Sequence, residues 1–238
     1  MADFLRTIPH TLDGFLLQWR MPRMRSGALA DHSDLLDEFH AIPEFKPLDL
    51  GATGRGWFAF EVSSKTPLQP NFEPSDLGLY RYFLLLRIQA TTGTVVVATA
   101  SRNLTRAIID QFINRYLRPN LQPIQLLTSE LSSQLVEDPE SGFKMTSLSG
   151  DFIYDGSDVR VMILYGDDLG NSRFVQDNIG AIMPNQVGMR ERTSMREDAR
   201  VGSAGTLRFY FREGEGLRSL EKCLAFMLAK KIYVYPAS

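Results

Sequence analysis

Two adjacent carboxylates, Asp167 and Asp168, follow an apolar run that ends at Tyr165 and Gly166. Paired carboxylates at a strand end can hold divalent metals and drive phosphoryl transfer, provided acids from a separate element share those metals. The upstream acids Asp151, Asp155 and Asp158 lie 9 to 16 residues before Asp167, inside the immediately preceding predicted hairpin. From Gly166 to Asn171 every residue except Leu169 is Gly, Asp or Asn, the residues that dominate turns. The favoured reading is a turn. A metal-dependent nuclease or phosphotransferase using Asp167 and Asp168 stands as the second alternative function.

The tetrapeptide Tyr165-Gly166-Asp167-Asp168 resembles the metal-binding motif of template-dependent polymerases. The resemblance covers four residues, and a chain of 238 has little room for fingers and thumb around a palm. Other chemistries find less support. His10, His32 and His40 match no metal-protease spacing, and none has an identifiable partner for general acid–base work. A single cysteine, Cys223, excludes a zinc–thiolate site and an internal disulfide. It sits on a predicted C-terminal helix, away from any N-terminus that would activate its thiol. Gly51, Gly54 and Gly56 precede a predicted strand, whereas a dinucleotide loop must precede a helix. No serine-nucleophile motif occurs. No cofactor is expected, and no catalytic residue is assigned.

Charge placement is more informative. The formal net charge is -2, yet it is distributed in blocks: +2 over 1–30, -6 over 31–76, +5 over 77–125, -7 over 126–185 and +4 over 186–238. Such blocks either neutralise one another in the fold or display separate faces to partners. Arginine outnumbers lysine 20 to 6, and its planar fork suits carboxylates, phosphates and aromatic rings. The basic block holds Arg81, Arg87, Arg102, Arg106, Arg115 and Arg118, interleaved with Tyr80, Tyr82, Phe83 and Tyr116. Basic and aromatic residues together suit phosphate contact with base stacking. Residues 184–205 carry Arg190, Arg192, Arg196 and Arg200 with few apolar neighbours, and read as a long exposed loop or short surface helix.

The elements that would position these groups follow from periodicity. Residues 33–42 read as a helix, and Trp57–Val62 as a strand. Tyr80–Gln89 alternates and turns through Thr91-Thr92-Gly93 into Thr94–Ala100, a β-hairpin. A helix over 103–117 has Leu104, Ile108, Phe112 and Tyr116 as its apolar stripe. A second helix is predicted to start near Pro123, with Ile124, Leu127, Leu131 and Leu135 buried. Phe143–Tyr154 and Val159–Tyr165 form another predicted hairpin. Thr206–Arg212 is a strand, 217–230 a helix and Ile232–Tyr235 a closing strand.

This predicts an α+β fold with a mostly antiparallel sheet, covering helices, and two similar strand–hairpin–helix halves. The expected divisions are an irregular or helical segment over 1–56, a half over 57–140 and a half over 141–238, the halves being either two sub-domains or parts of one continuous domain. No membrane helix or signal peptide is apparent, so an intracellular, cytoplasmic protein is expected. The function read from the sequence is a non-catalytic interaction subunit of a larger assembly, docking on other protein subunits through Arg-rich and acidic surfaces. Nucleic-acid binding by the 77–125 block and the 186–205 loop is the first alternative. The candidate binding residues are Arg102, Arg106, Arg115, Arg118, Arg190, Arg192, Arg196 and Arg200.

Overall fold

In the computed structural model, the described residues are 11–19, 32–49, 56–70, 72–89, 93–117, 121–138, 140–153, 160–210 and 217–234. The fold is α+β with extensive antiparallel sheet. The chain divides into two units, Met1–Pro123 and Ile124–Ser238.

The first unit is organised by the predicted hairpin. Strands β1 (Thr11–Trp19), β2 (Phe45–Leu48), β3 (Trp57–Ser64), β4 (Tyr80–Gln89), β5 (Thr94–Thr99) and β6 (Leu121–Pro123) pair antiparallel in the order β2-β3-β4-β5-β1-β6. Gln89 lies opposite Thr94, and Gly93 adopts a left-handed φ of 64° that the turn requires. Helix α1 (His32–His40) and helix α2 (Arg102–Ile108) contribute Phe39, Leu104 and Ile108 to a cluster with Phe60, Leu84, Leu86 and Val97. The rings of Phe39, Phe45 and Phe60 lie 5.7 to 6.3 Å apart. Fully burying each such side chain contributes roughly 1.5–3 kcal/mol.

The predicted helix over 103–117 is interrupted. A π-helical turn spans Ile109–Ile113, where the Asn114 N–H reaches back to the Ile109 carbonyl, before α3 (Asn114–Leu117) resumes. The extra residue rotates the apolar stripe. Ile113 and Leu117 are buried beyond Phe112, and Tyr116, expected in the core, is exposed. Strand β1 had no counterpart in the sequence reading. It buries Leu12, Leu16 and Leu17, so both faces are apolar and alternation is lost.

The helix expected from Pro123 is also corrected. Leu121–Pro123 is strand β6 and Gln125–Leu126 is β7; α4 starts only at Thr128 and ends at Glu137. Ile124, in the link before β7, and Leu126, on β7, are buried outside any helix; Leu131 and Leu135 are buried as expected, and Leu127 is half-buried. The Thr128 hydroxyl donates to the Pro184 carbonyl at 2.5 Å, tying the helix start to the sheet.

In the second unit, β8 (Phe143–Phe152), β9 (Arg160–Tyr165), β10 (Ile182–Glu191), β11 (Ala199–Gly202) and β12 (Thr206–Tyr210) pair antiparallel in the order β12-β11-β10-β8-β9. Strand β13 (Tyr233–Val234) pairs with β7. A short helix, α5 (Arg173–Asn178), follows β9, and α6 (Arg218–Ala229) buries Leu220, Cys223, Leu224 and Met227. Phe226 packs on Phe143 at 5.1 Å.

Residues 184–205 are therefore not a long exposed loop. Val187, Met189, Ala199 and Val201 are buried on one face of β10 and β11. Arginines occupy the other face, so the apolar positions were too sparse to reveal two strands. Only the connection 192–198 lies between them.

Candidate functional site

Cross-strand pairing places Lys144 on β8 directly opposite Arg190 on β10. Like charges in that relation destabilise a sheet unless anions accompany them. Asp167 and Asp168 supply those anions. Arg190 Nη2 donates to the Asp167 carbonyl at 2.9 Å and approaches its Oδ1 at 3.0 Å. Asp168 Oδ2 lies 3.6 Å from Lys144 Nζ, 3.9 Å from Arg192 Nη1 and 2.8 Å from the Asn171 amide donor. The two carboxylates thus balance three cations. Among the described residues no three His, Cys, Asp or Glu side chains form a metal-holding group. Asp151 lies on β8, while Asp155 and Asp158 fall outside the described residues.

A second polar cluster lies over the same sheet. The connection between β10 and β11 folds back so that Glu197 Oε2 accepts from Thr146 at 2.8 Å and Ser147 at 2.9 Å. Its Oε1 accepts from Arg200 Nε at 3.0 Å. A Cβ on Gly188 would fall 2.1 Å from both Glu197 Oε2 and Ser147 Oγ, so only glycine leaves room for the carboxylate. Burial pushes the Tyr210 hydroxyl above its ordinary value; Arg200 opposes that rise and Glu197 adds to it. The neighbouring Asp198 is buried and accepts the Glu191 N–H at 2.6 Å.

The candidate arginines consequently have different fates. Arg190 is buried, Arg192 and Arg200 are half-buried in ion pairs, and Arg196 is exposed. In the first unit Arg102, Arg106 and Arg115 are all exposed on α2 and α3. Arg102 lies over the Phe15 ring at 5.9 Å, Arg115 over Tyr116 at 5.7 Å, and Arg106 sits 3.9 Å from Asp110. Arg118 is outside the described residues, as are His10 and the side chain of His32. His40 packs edge-on against Phe60, at 5.5 Å. Cys223 is buried, and its thiol is pushed well above its ordinary value by that burial, with Asp198 and Glu191 adding to the shift.

The sequence reading missed a different surface. Strand β9 ends the sheet of the second unit and, among the described residues, pairs only with β8. The register puts Val161 opposite Asp151, Ile163 opposite Ser149 and Tyr165 opposite Ser147, all on one face. These three apolar side chains are 73%, 56% and 70% exposed. Met183, opposite Asp151 on its other side, extends the row and is 58% exposed. Soluble proteins usually blunt such edges with charge, proline or bulges. A signal was present: Val161-Met162-Ile163-Leu164-Tyr165 is apolar at every position, leaving no polar face for solvent.

No protein-family model matches the chain, and no curated protein matches it. Among the described residues no helix is long and apolar enough to cross a membrane.

Proposed function

We propose that this chain is a non-catalytic interaction subunit of a larger assembly, docking on a protein partner through the β9 edge. The single observation that carries the reading is the row Val161, Ile163 and Tyr165, exposed together on a terminal strand. Contiguous exposed apolar surface marks docking sites, and an open strand edge adds main-chain donors and acceptors. The charged groups first singled out on β10 and β11 support this surface rather than form it, because they are largely engaged with one another.

The test is native mass spectrometry of the protein isolated from its own source, as wild type and as Ile163→Lys. The reading expects a defined protein complex that the variant loses while its melting temperature stays within a few degrees. An identical complex in both forms would contradict it.

A second reading, nucleic-acid binding, rests on the exposed Arg102, Arg106 and Arg115 beside the exposed Tyr116. Affinity for single-stranded RNA would then fall steeply with salt and fall further in Arg102→Ala/Arg106→Ala. Retention without salt dependence would count against it.

A further inference from the structure

We infer that Lys144, Arg190 and Arg192 form a binding site for a phosphate group, carried by the free ion or by a small ester. The inference is independent of the docking reading, because the site shares no residue with the apolar row of β9. Lys144 and Arg190 are direct cross-strand neighbours on β8 and β10. Arg192 follows two residues after Arg190, and its N–H continues the ladder by donating to the Gly142 carbonyl at 2.8 Å. All three side chains converge on the turn at Asp167 and Asp168, which sets them on one side of the sheet.

The acceptors at that turn do not use up the donors. Three cations meet two carboxylates, so one positive charge is left over. Asp167 is 89% exposed, and water screens much of its charge. Asp168 accepts the Asn171 amide at 2.8 Å but stays 3.6 Å from Lys144 Nζ and 3.9 Å from Arg192 Nη1, beyond hydrogen-bond distance. The Arg190 side chain is only 9% exposed; its Nη2 goes to Asp167, while its Nε is buried without a partner. The Arg192 Nε is buried and unpartnered as well. Buried donors in native proteins are nearly always satisfied, and two orphans on neighbouring guanidinium groups point to an acceptor that comes from outside the chain.

A tetrahedral oxyanion fits this donor set better than a carboxylate does. Its oxygens point in several directions and can accept from both strands at once, whereas a carboxylate's two oxygens match the fork of a single arginine. Its negative charge also offsets the surplus cation. Lys144 and Arg192, 23% and 33% exposed, give access from solvent, while the buried Arg190 closes the far side. The Asp168 carboxylate, held to neither Lys144 nor Arg192 by a hydrogen bond, is the group that yields its place.

The probe is inorganic phosphate, titrated against the full chain by isothermal calorimetry at a constant ionic strength set with chloride, with glycerol 3-phosphate as the ester arm. Saturable phosphate binding is expected. Arg192→Gln and Lys144→Gln should each weaken it roughly tenfold or more, since each removes a charged donor. Asp168→Asn should tighten it several-fold by removing the competing anion, which a purely structural ion pair would not do. Similar affinity for the ester would support a phosphate group read on a small molecule, and binding of the ion alone would support free phosphate. Heat that never saturates, or equal competition by chloride, would overturn the inference. Wild-type affinity in both Arg192→Gln and Lys144→Gln would overturn it too, by placing the phosphate elsewhere.

Discussion

The β4–β5 and β8–β9 hairpins both contain strongly apolar strands, and those strands meet opposite fates. In the first, Tyr82, Leu84, Leu86 and Ile88 are buried, and every residue of β5 is buried as well. In the second, Val161, Ile163 and Tyr165 hold equivalent alternate positions and stand in solvent. The difference lies in sheet position: β4 is flanked by β3 and β5, whereas β9 has β8 alone among the described residues. Alternation specifies a strand, but only topology decides whether its apolar face stabilises the fold or remains available to a partner.

The largest expected effect separates those two roles. Phe60→Ala, in the ring cluster of the first unit, should cost about 3–5 kcal/mol by denaturant unfolding. Ile163→Ala, on the exposed row, should change stability by no more than about 0.5 kcal/mol. Comparable losses at both positions would mean that the β9 row is part of a core. Below these comes the carboxylate pinned over the second sheet. Glu197→Ala should cost about 1–3 kcal/mol, because Thr146, Ser147 and Arg200 lose their shared acceptor.

Gly188→Ala tests the same packing from below and should cost about 1–2 kcal/mol in thermal unfolding, since the added methyl displaces Glu197. Its effect should not add to that of Glu197→Ala, since both act on one contact.

The smallest effect concerns pH. The Lys230 ammonium, 2.8 Å from Asp138, holds that carboxyl below its ordinary value of 3.8. A lowered folded value makes the contribution complete above the ordinary carboxylate range and lost as pH falls through the lowered value. Asp138→Asn should therefore lower stability slightly across the neutral range, with the difference from the wild type shrinking as pH falls below about 4.

Much of the fold was legible because its elements obey simple periods. The β4–β5 hairpin, α6 and the buried Leu207 and Phe209 of β12 follow from spacing alone. Three features were not legible, each for a physical reason. Strand β1 is apolar on both faces, the π-turn shifts the stripe from Tyr116 to Leu117, and β10 hides its core residues among arginines. The Asp167–Asp168 pair was visible as chemistry. Its engagement with Lys144, Arg190 and Arg192 depended on a cross-strand register no local pattern encodes. The β9 row was visible as a strand, while its exposure depended on which strand ended the sheet.

The most direct measurement is amide hydrogen exchange across the full chain, alone and in the complex isolated from its own source. The account predicts slowed exchange confined to 160–165, at the alternate amides that face away from β8. Protection centred instead on 102–117, with β9 unchanged, would contradict it.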